Sequence, residues 1–267
     1  HLSLRRQRQM CIRDRASTGL IKNSEKSLRI YDTFRGRLMF PIKDIHGRCI
    51  GFGARSLKSG DNPKYLNSPE TAYYHKSRTL YGLHEGLHEI RKKNRIIFVE
   101  GYLDVIRLHE IGFTETVAPC GTALTAEHLK IVMRYTKTAF LIFDGDSAGK
   151  IAALKHAHLL LPHSLETYII NLPEGEDPDT FIIKHGKKGL EDLMDHKVTA
   201  LDYLVQQTIK NLPDTIQGRM QGLEELLPTL HQIKDPKRYQ ITLVTIGERM
   251  KIPPEMLSSC LLYTSDA

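Results

Sequence analysis

The sequence lacks an apolar run long enough to cross a membrane, and it lacks the pattern of a signal peptide. Cysteine is scarce: the four residues lie at positions 11, 49, 120 and 260, and none belongs to a C-x-x-C pair. This spacing argues against a zinc site and against a disulfide framework. No internal repeat or low-complexity tract is present. We therefore expect a cytoplasmic globular protein with no zinc site and no membrane partner.

What the sequence does contain is a set of six acidic residues that follow apolar, strand-like runs in pairs. The runs cover residues 95–99, 138–143 and 165–172. The pairs are Glu100 with Asp104, Asp144 with Asp146, and Asp177 with Asp179. Because carboxylates repel one another, such a cluster is expected to hold cations. Hard divalent ions such as Mg²⁺ bind through a few carboxylates plus substrate phosphates, which predicts metal-dependent phosphoryl-transfer chemistry.

Strand-like and helix-like segments alternate around these acids. Helices are predicted over 102–111, 125–135 and 148–161, and a short strand over 116–118. This alternation is typical of a parallel sheet with right-handed crossovers, in which ligands bind beyond the carboxyl ends of the strands. All three acidic pairs would lie at that edge.

Several motifs make the chain resemble a known family. Three of them are V-E-G-Y-L-D-V at 99–105, C-G-T-A-L-T at 120–125 and F-D-G-D-S-A-G at 143–149. They resemble the Toprim domain of bacterial DnaG-type primases. The segments at 31–42, 51–55, 62–71 and 174–180 resemble the catalytic core of the same family. The resemblance spans roughly residues 17 to 259.

This resemblance implies the synthesis of short RNA primers on single-stranded DNA, from ribonucleoside triphosphates, by metal-assisted nucleotidyl transfer. Glu100, Asp144 and Asp146 are then the expected catalytic and metal-binding residues. Asp177 and Asp179 are expected to add ligands when nucleotide binds. Asp104 is expected either to ligate a cation or to structure the site by hydrogen bonding. The expected cofactor is Mg²⁺, with Mn²⁺ as the alternative.

The segment before the acidic sheet is rich in arginine and lysine. A solvated surface with scattered charges is one interpretation, whereas the resemblance implies a basic ridge that holds template and nucleotide. Arginine forks and lysine point charges both suit phosphate oxygens. The expected nucleotide-binding or DNA-binding residues are Arg35, Arg37, Arg55, Lys64, Tyr65, Asn67 and Lys76. A turn-stabilising role stays open for Asn67.

The expected fold class is α/β, mixed α+β overall. A Toprim parallel-sheet domain at 94–177 would be flanked by a partial amino-terminal α+β subdomain at 17–93 and a carboxy-terminal helical bundle at 178–259. The amino-terminal part should contain a hairpin of residues 38–42 and 49–54. Helical spacing of apolar residues predicts further helices near 82–92, 199–211, 215–233 and 236–250.

Residues 1–16 and 260–267 do not resemble the family and are expected to be non-native tails. The zinc-binding and helicase-binding domains that the family carries have no counterpart in this sequence. A replicative helicase is therefore expected as a partner only through a domain absent here.

Two other function classes stay open. A Toprim-type nuclease or topoisomerase would cut nucleic acid rather than extend it, although no segment resembles the tyrosine domain that a topoisomerase needs. A non-catalytic nucleic-acid-binding fragment could keep the fold and lose the acids, but all six acids are present.

Overall fold

The computed structural model describes residues 14–24, 27–58, 60, 62–210 and 212–261. The strands are β1 (Ile21–Ser24), β2 (Ser27–Asp32), β3 (Arg37–Lys43), β4 (Cys49–Ser56), β5 (Tyr65–Asn67), β6 (Leu80–Tyr81), β7 (Ile96–Phe98), β8 (Thr116–Pro119), β9 (Thr138–Phe143), β10 (Glu166–Asn171) and β11 (Val198–Thr199). The helices are α1 (Leu83–Lys93), α2 (Tyr102–Glu110), α3 (Ala126–Val132), α4 (Ser147–Leu160), α5 (Pro178–Asp195), α6 (Ala200–Ile209), α7 (Ile216–Leu230), α8 (Pro236–Arg249) and α9 (Pro254–Leu261). A 3₁₀ turn covers Lys76–Arg78.

The largest sheet has the strand order β11-β10-β9-β7-β8-β6. Its four inner strands, β10, β9, β7 and β8, run parallel, and the predicted parallel sheet is thereby confirmed. The short strands β11 and β6 close the two edges in antiparallel orientation. From β7 the chain moves to β8 on one side and then to β9 on the other. The point at which strand order reverses therefore lies between β7 and β9.

Both faces of this sheet are covered, because alternate side chains of each strand enter different cores. Ile96 and Phe98 belong to a cluster that includes α1, α3 and α4. Ile97 and Val99 belong to a second cluster, with α2 and α5 on the opposite face. Burial on both sides explains why these strands appear in the sequence as continuous apolar runs.

The predicted hairpin is confirmed as β3 and β4, which pair antiparallel with Phe40 opposite Gly53. Strand β5 joins β4 to complete a three-stranded sheet. This sheet packs near the carboxyl ends of the parallel strands through a small buried cluster. The cluster consists of Phe40, Ile42, Tyr74, Tyr102 and Cys120. The amino-terminal subdomain is thus held beside the acidic edge.

The predicted carboxy-terminal helices are present as α6, α7 and α8. Leu204, Leu223 and Leu243 are buried in the same cluster that covers one face of the parallel sheet, so the bundle shares a core with the sheet. The expected domain boundary at residue 177 falls between β10 and α5, yet α5 packs on the sheet. Strand β11, which pairs with β10 after α5, was not predicted.

The two expected tails are described only in part. Residues 1–13 and 262–267 lie outside the described residues. Residues 14–17 form a helical turn, and Arg15 Nη2 lies 3.1 Å from Asp32 Oδ1. Within the described ranges, no helix combines the length and the apolar character needed to cross a membrane.

Candidate active site at the carboxyl edge of the sheet

The acidic residues lie at one edge because the strands that precede them are parallel neighbours. Glu100 lies just past β7, Asp144 directly follows β9, and Asp177 caps α5 in the segment after β10. Strand β9 pairs with β7 on one side and with β10 on the other. Glu100 and Asp144 therefore flank the point of strand-order reversal, where open α/β sheets bind ligands.

The carboxylates of this edge affect one another electrostatically. Burial raises the pKa of Glu100, and the charges of Asp144 and Asp146 raise it further. Burial also raises the pKa of Asp144, with added effects of Asp177 and Asp146. Burial, together with the charges of neighbouring carboxylates, raises the pKa of Asp104 to about 7. This mutual repulsion is the signature expected of a site that positive charge would complete.

Three of the acids are already used in local structure. Asp146 caps α4, where its Oδ1 accepts from the backbone N–H of Gly149 at 2.7 Å. Asp177 caps α5 and accepts from the backbone N–H of Thr180, also at 2.7 Å. Asp104 Oδ2 accepts from the backbone N–H of Gly101 at 2.9 Å, which is the structuring role that the sequence left open. These bonds fix the carboxylates in place.

Glu100 and Asp144 differ from the other acids. Within the described residues, neither side chain receives a hydrogen bond or forms an ion pair. Asp179 is the opposite case, because its Oδ1 lies 2.5 Å from Arg107 Nε, and Arg107 also pairs with Glu110. Partnerless carboxylates at the point of strand-order reversal are the strongest candidates for direct contact with a cation.

The described residues contain no cluster of three or more histidine, cysteine or acidic side chains arranged to enclose a metal ion. The donors present are hard carboxylate oxygens that repel one another, which suits Mg²⁺ rather than a soft metal. Mg²⁺ usually keeps several waters and binds through one or two carboxylates plus substrate phosphates. The donor set fits a cation held in that way, and it does not form an all-protein cage.

The loop that carries Asp144 is tightly packed. A Cβ at Gly145 would collide with the carbonyl oxygen of Pro173, and a Cβ at Gly149 would collide with that of Asp144. The backbone N–H of Gly145 also donates to the carbonyl oxygen of Glu176 at 2.8 Å. Glycine at 145 therefore lets the loop after β9 lie directly on the loop after β10, and glycine at 149 lets the start of α4 approach the backbone of Asp144.

A basic surface lies on the three-stranded sheet next to this edge; we define it as Arg37, Arg55, Lys64 and Tyr65. Arg55 and Lys64 line a cleft of about 590 Å³. The Arg55 guanidinium carbon lies 6.0 Å and the Lys64 Nζ 5.9 Å from the centroid of the Tyr65 ring. Within the described residues, none of the three cations pairs with an acid, so their charges remain available for phosphates.

The basic surface and the acidic edge are close neighbours. Burial raises the pKa of the Tyr65 hydroxyl, and the charge of Asp104 raises it further. The Asp104 carboxylate therefore lies near the Tyr65 hydroxyl. The Tyr65 ring centroid also lies 6.5 Å from that of Tyr102, two residues before Asp104. The sequence placed these groups in different subdomains, and the structure brings them together.

The remaining predicted residues have more specific surroundings. Arg35 lies over the ring of Tyr31, with its guanidinium carbon 4.9 Å from the ring centroid. Lys76 belongs to the 3₁₀ turn, and its carbonyl oxygen accepts from Nε2 of the buried His128 at 2.9 Å. Asn67, predicted to contact nucleotide or DNA, is bonded within the protein. Its amide joins the Tyr102 hydroxyl and the Cys120 carbonyl oxygen.

Sequence reasoning missed two residues that organise the site. Tyr102 lies inside the motif at 99–105 but was given no role. His128 belongs to none of the motifs, yet its ring ties α3 to the turn that carries Lys76. The only local signal for His128 is Thr125 three residues earlier, which caps α3.

The geometry of this edge points to one class of protein. A parallel sheet with carboxylates at its point of strand-order reversal, beside a basic surface, is a Toprim-type site suited to metal-dependent chemistry on phosphate esters. Residues 97–182 match the family model described as Toprim-like. Residues 2–87 match the one described as the N-terminal domain of the DNA primase catalytic core. This second match begins within the expected tail at 1–16.

Individual relatives narrow the class to a family. A DNA primase of Legionella pneumophila is 37% identical over 261 residues, which cover 96% of this chain and 45% of the relative. The crystal structure of a DNA primase domain from Pseudomonas aeruginosa has a TM-score of 0.87 at 33% identity, covering 94% of this chain and 79% of that one. A DnaG primase catalytic domain bound to single-stranded DNA has a TM-score of 0.80 at 37% identity, and the match covers 90% of this chain and 76% of that one.

The chain therefore belongs to the family of DnaG-type DNA primases, and the predicted resemblance is confirmed. It spans less than half the length of the Legionella relative.

Proposed function

We propose that this chain is the catalytic core of a DNA primase and joins ribonucleoside triphosphates into short RNA primers on a single-stranded DNA template. The observation that carries the proposal is the pair of carboxylates, Glu100 and Asp144, which have no partner among the described residues and lie beside a basic surface that likewise has no acidic partner there. Family membership supports the reaction type, and the related catalytic domain bound to single-stranded DNA supports the template.

Glu100, Asp144 and Asp146 would hold the divalent cation, Mg²⁺ or in its place Mn²⁺. Such a cation would neutralise charge and align oxygens during in-line attack of a primer hydroxyl on an α-phosphate. Asp146 would contribute the oxygen that Gly149 does not occupy. Asp104 and Asp177 would hold the edge in shape and add negative charge near the cation.

Asp177 and Asp179 remain proposed ligands for the nucleotide-bound state. Asp179 would first have to separate from Arg107, because the present ion pair neutralises its charge. This requirement makes Asp179 the weaker member of the set.

The basic surface would bind the phosphates of template and nucleotide. Arg37 and Arg55 offer planar forks that match two phosphate oxygens, and Lys64 offers a point charge. Tyr65, Arg35 and Lys76 would add contacts around the same cleft. A replicative helicase stays a proposed partner, as the family resemblance implies.

A Toprim-type nuclease or topoisomerase is not favoured, since the matches reported above are DNA primases. A non-catalytic binding fragment would not explain why the carboxylates of Glu100 and Asp144 lie together, since they repel each other unless a cation binds. One assay distinguishes all three: labelled ribonucleotides and a single-stranded template give extension, cutting or mere retention.

The decisive variant is Asp144→Ala, compared with Asp192→Ala as a control that removes an exposed aspartate from the far part of α5. With saturating Mg²⁺ we expect primer synthesis to fall by at least about a hundredfold in Asp144→Ala, because a direct metal ligand is lost. Asp192→Ala should retain full activity. Primer yield near the wild-type level in Asp144→Ala would refute the proposed role.

A further inference from the structure

The interface between the three-stranded sheet and the acidic edge contains a polar link that the proposed chemistry does not use. At its centre lies Tyr102, the first residue of α2, which is only 4% exposed. Its ring stacks on Phe40 of β3, with centroids 5.1 Å apart, and meets Tyr81 edge-on at 4.8 Å. A Cβ at Gly53 of β4 would come within 2.5 Å of this ring. The ring therefore occupies a slot shaped by both sheets.

The Tyr102 hydroxyl donates to Oδ1 of Asn67 at 2.6 Å. The Asn67 Nδ2 in turn donates to the carbonyl oxygen of Cys120, directly after β8, at 3.0 Å. A Cβ at Gly121 would collide with this Nδ2, so the contact requires glycine there. The orientation of the amide follows from its partners, since a carbonyl oxygen can only accept.

This link joins the two halves of the site at short range. Asn67 is the last residue of β5. Two residues earlier lies Tyr65, and the charged groups of Arg55 and Lys64 lie near the ring of Tyr65. Tyr102 lies between Glu100 and Asp104 in the sequence. One hydrogen bond thus connects β5, whose Tyr65 ring lies beside the cations, with the segment that presents the carboxylates.

We propose that Tyr102 and Asn67 are positioning residues that fix the position of the basic surface relative to the acidic edge. Asn67 then acts through Tyr102 and Cys120, in place of the direct contact with nucleic acid predicted from the sequence. The inference rests on the proposed function. In-line attack needs the two reacting oxygens and the phosphorus aligned to within a fraction of an ångström. If the basic surface is held less firmly relative to the acidic edge, turnover should therefore fall more than binding.

The test uses Tyr102→Phe, which removes only the hydroxyl, and Tyr81→Phe as a matched control from the same aromatic cluster. Within the described residues, the Tyr81 hydroxyl has no hydrogen-bond partner. We expect Tyr102→Phe to lower kcat by about ten- to a hundredfold while the Kd for a single-stranded oligonucleotide stays within about twofold. Tyr81→Phe should leave both constants unchanged.

Asn67→Ala and the double variant Tyr102→Phe/Asn67→Ala complete a double-mutant cycle. If both residues act through one link, the double variant should be no slower than Asn67→Ala alone. Two results would overturn the inference. One is an unchanged kcat in Tyr102→Phe, and the other is a loss of DNA affinity in Asn67→Ala alone, which would make Asn67 a direct contact.

Amide hydrogen exchange supplies a readout that does not depend on activity. Exchange at residues 65–67 should accelerate in Tyr102→Phe and not in Tyr81→Phe, because β5 loses its tie to α2. Equal exchange in the two variants would refute the link. If wild-type protein made no primer, the proposed function would fail, whereas the exchange experiment would still decide on the link.

Discussion

Single carboxylates of the site differ in what surrounds them, and this difference assigns their roles. Glu100 and Asp144 have no partner within the described chain, whereas Asp146 and Asp177 each cap a helix. A capping aspartate is held by backbone N–H groups and typically contributes about 1 kcal/mol to stability. The caps therefore keep carboxylates at the edge even though their charges repel.

Asp104 gives a pH prediction at this scale. Its pKa is raised from 3.8 to about 7, mainly by burial. The folded state therefore binds a proton between these values that the unfolded state has already released. Asp104 thus favours folding at low pH and loses this contribution as the pH rises through about 7.

In metal-free buffer, Asp104→Asn should consequently gain stability relative to wild type as the pH rises from 4 to 8, by on the order of 1–3 kcal/mol. The asparagine Oδ1 can still accept from Gly101. Urea unfolding at several pH values measures the difference, with Asp192→Asn as the exposed control. Parallel pH profiles for wild type and Asp104→Asn would contradict the prediction.

At the scale of elements, the strands of the amino-terminal sheet act as a platform for positive charge. Arg55 at the end of β4 and Lys64 before β5 line one cleft, and β5 abuts α2 through Tyr65 and Tyr102. The helices α2 and α4 begin on opposite faces of the parallel sheet, at the two sides of the point where strand order reverses. Phosphates bound in the cleft would therefore lie near the carboxylates.

Arg55→Ala and Lys64→Ala should each weaken binding of single-stranded DNA. Each lost phosphate contact should reduce the slope of log K against log salt by roughly 0.7. The matched controls are Arg134→Ala and Lys137→Ala, which remove exposed charges before the amino end of β9, at the opposite edge of the sheet. If the salt slopes of these variants equal those of the controls, Arg55 and Lys64 are solvated surface charges that do not bind DNA.

At the scale of the whole molecule, the sheet and the carboxy-terminal helices share one core. Leu204 of α6 is fully buried in the cluster that also contains Phe98 and Leu141 of the sheet. A shared core of this kind predicts a single cooperative transition rather than separate unfolding of the bundle.

Leu204→Ala should lower the free energy of unfolding by about 2–5 kcal/mol, because it leaves a cavity between sheet and bundle. Ile241→Ala is the control, since Ile241 on α8 is 68% exposed and should change stability by less than about 0.5 kcal/mol. Far-ultraviolet circular dichroism and hydrogen exchange in β9 should report the same urea midpoint. Separate midpoints for helices and sheet would show that the bundle unfolds independently.

Local patterns in the sequence were sufficient to predict the parallel sheet, the hairpin and the line of acids at the carboxyl edge. These features are encoded locally: apolar runs bounded by turns predict strands, and helical spacing predicts the crossovers. The caps at Asp146 and Asp177 were also within reach of local reasoning, since aspartate before a helix is a standard cap.

Which acids remain without an ion-pair partner among the described residues depends on contacts between distant segments of the chain. Arg107 neutralises Asp179 across 72 positions of sequence. Asn67 meets Cys120 across 53 positions and Tyr102 across 35, and neither contact was predicted from the sequence. His128 meets Lys76 across 52. Such pairs leave no periodic trace in the chain, because their partners come together only when separate elements pack.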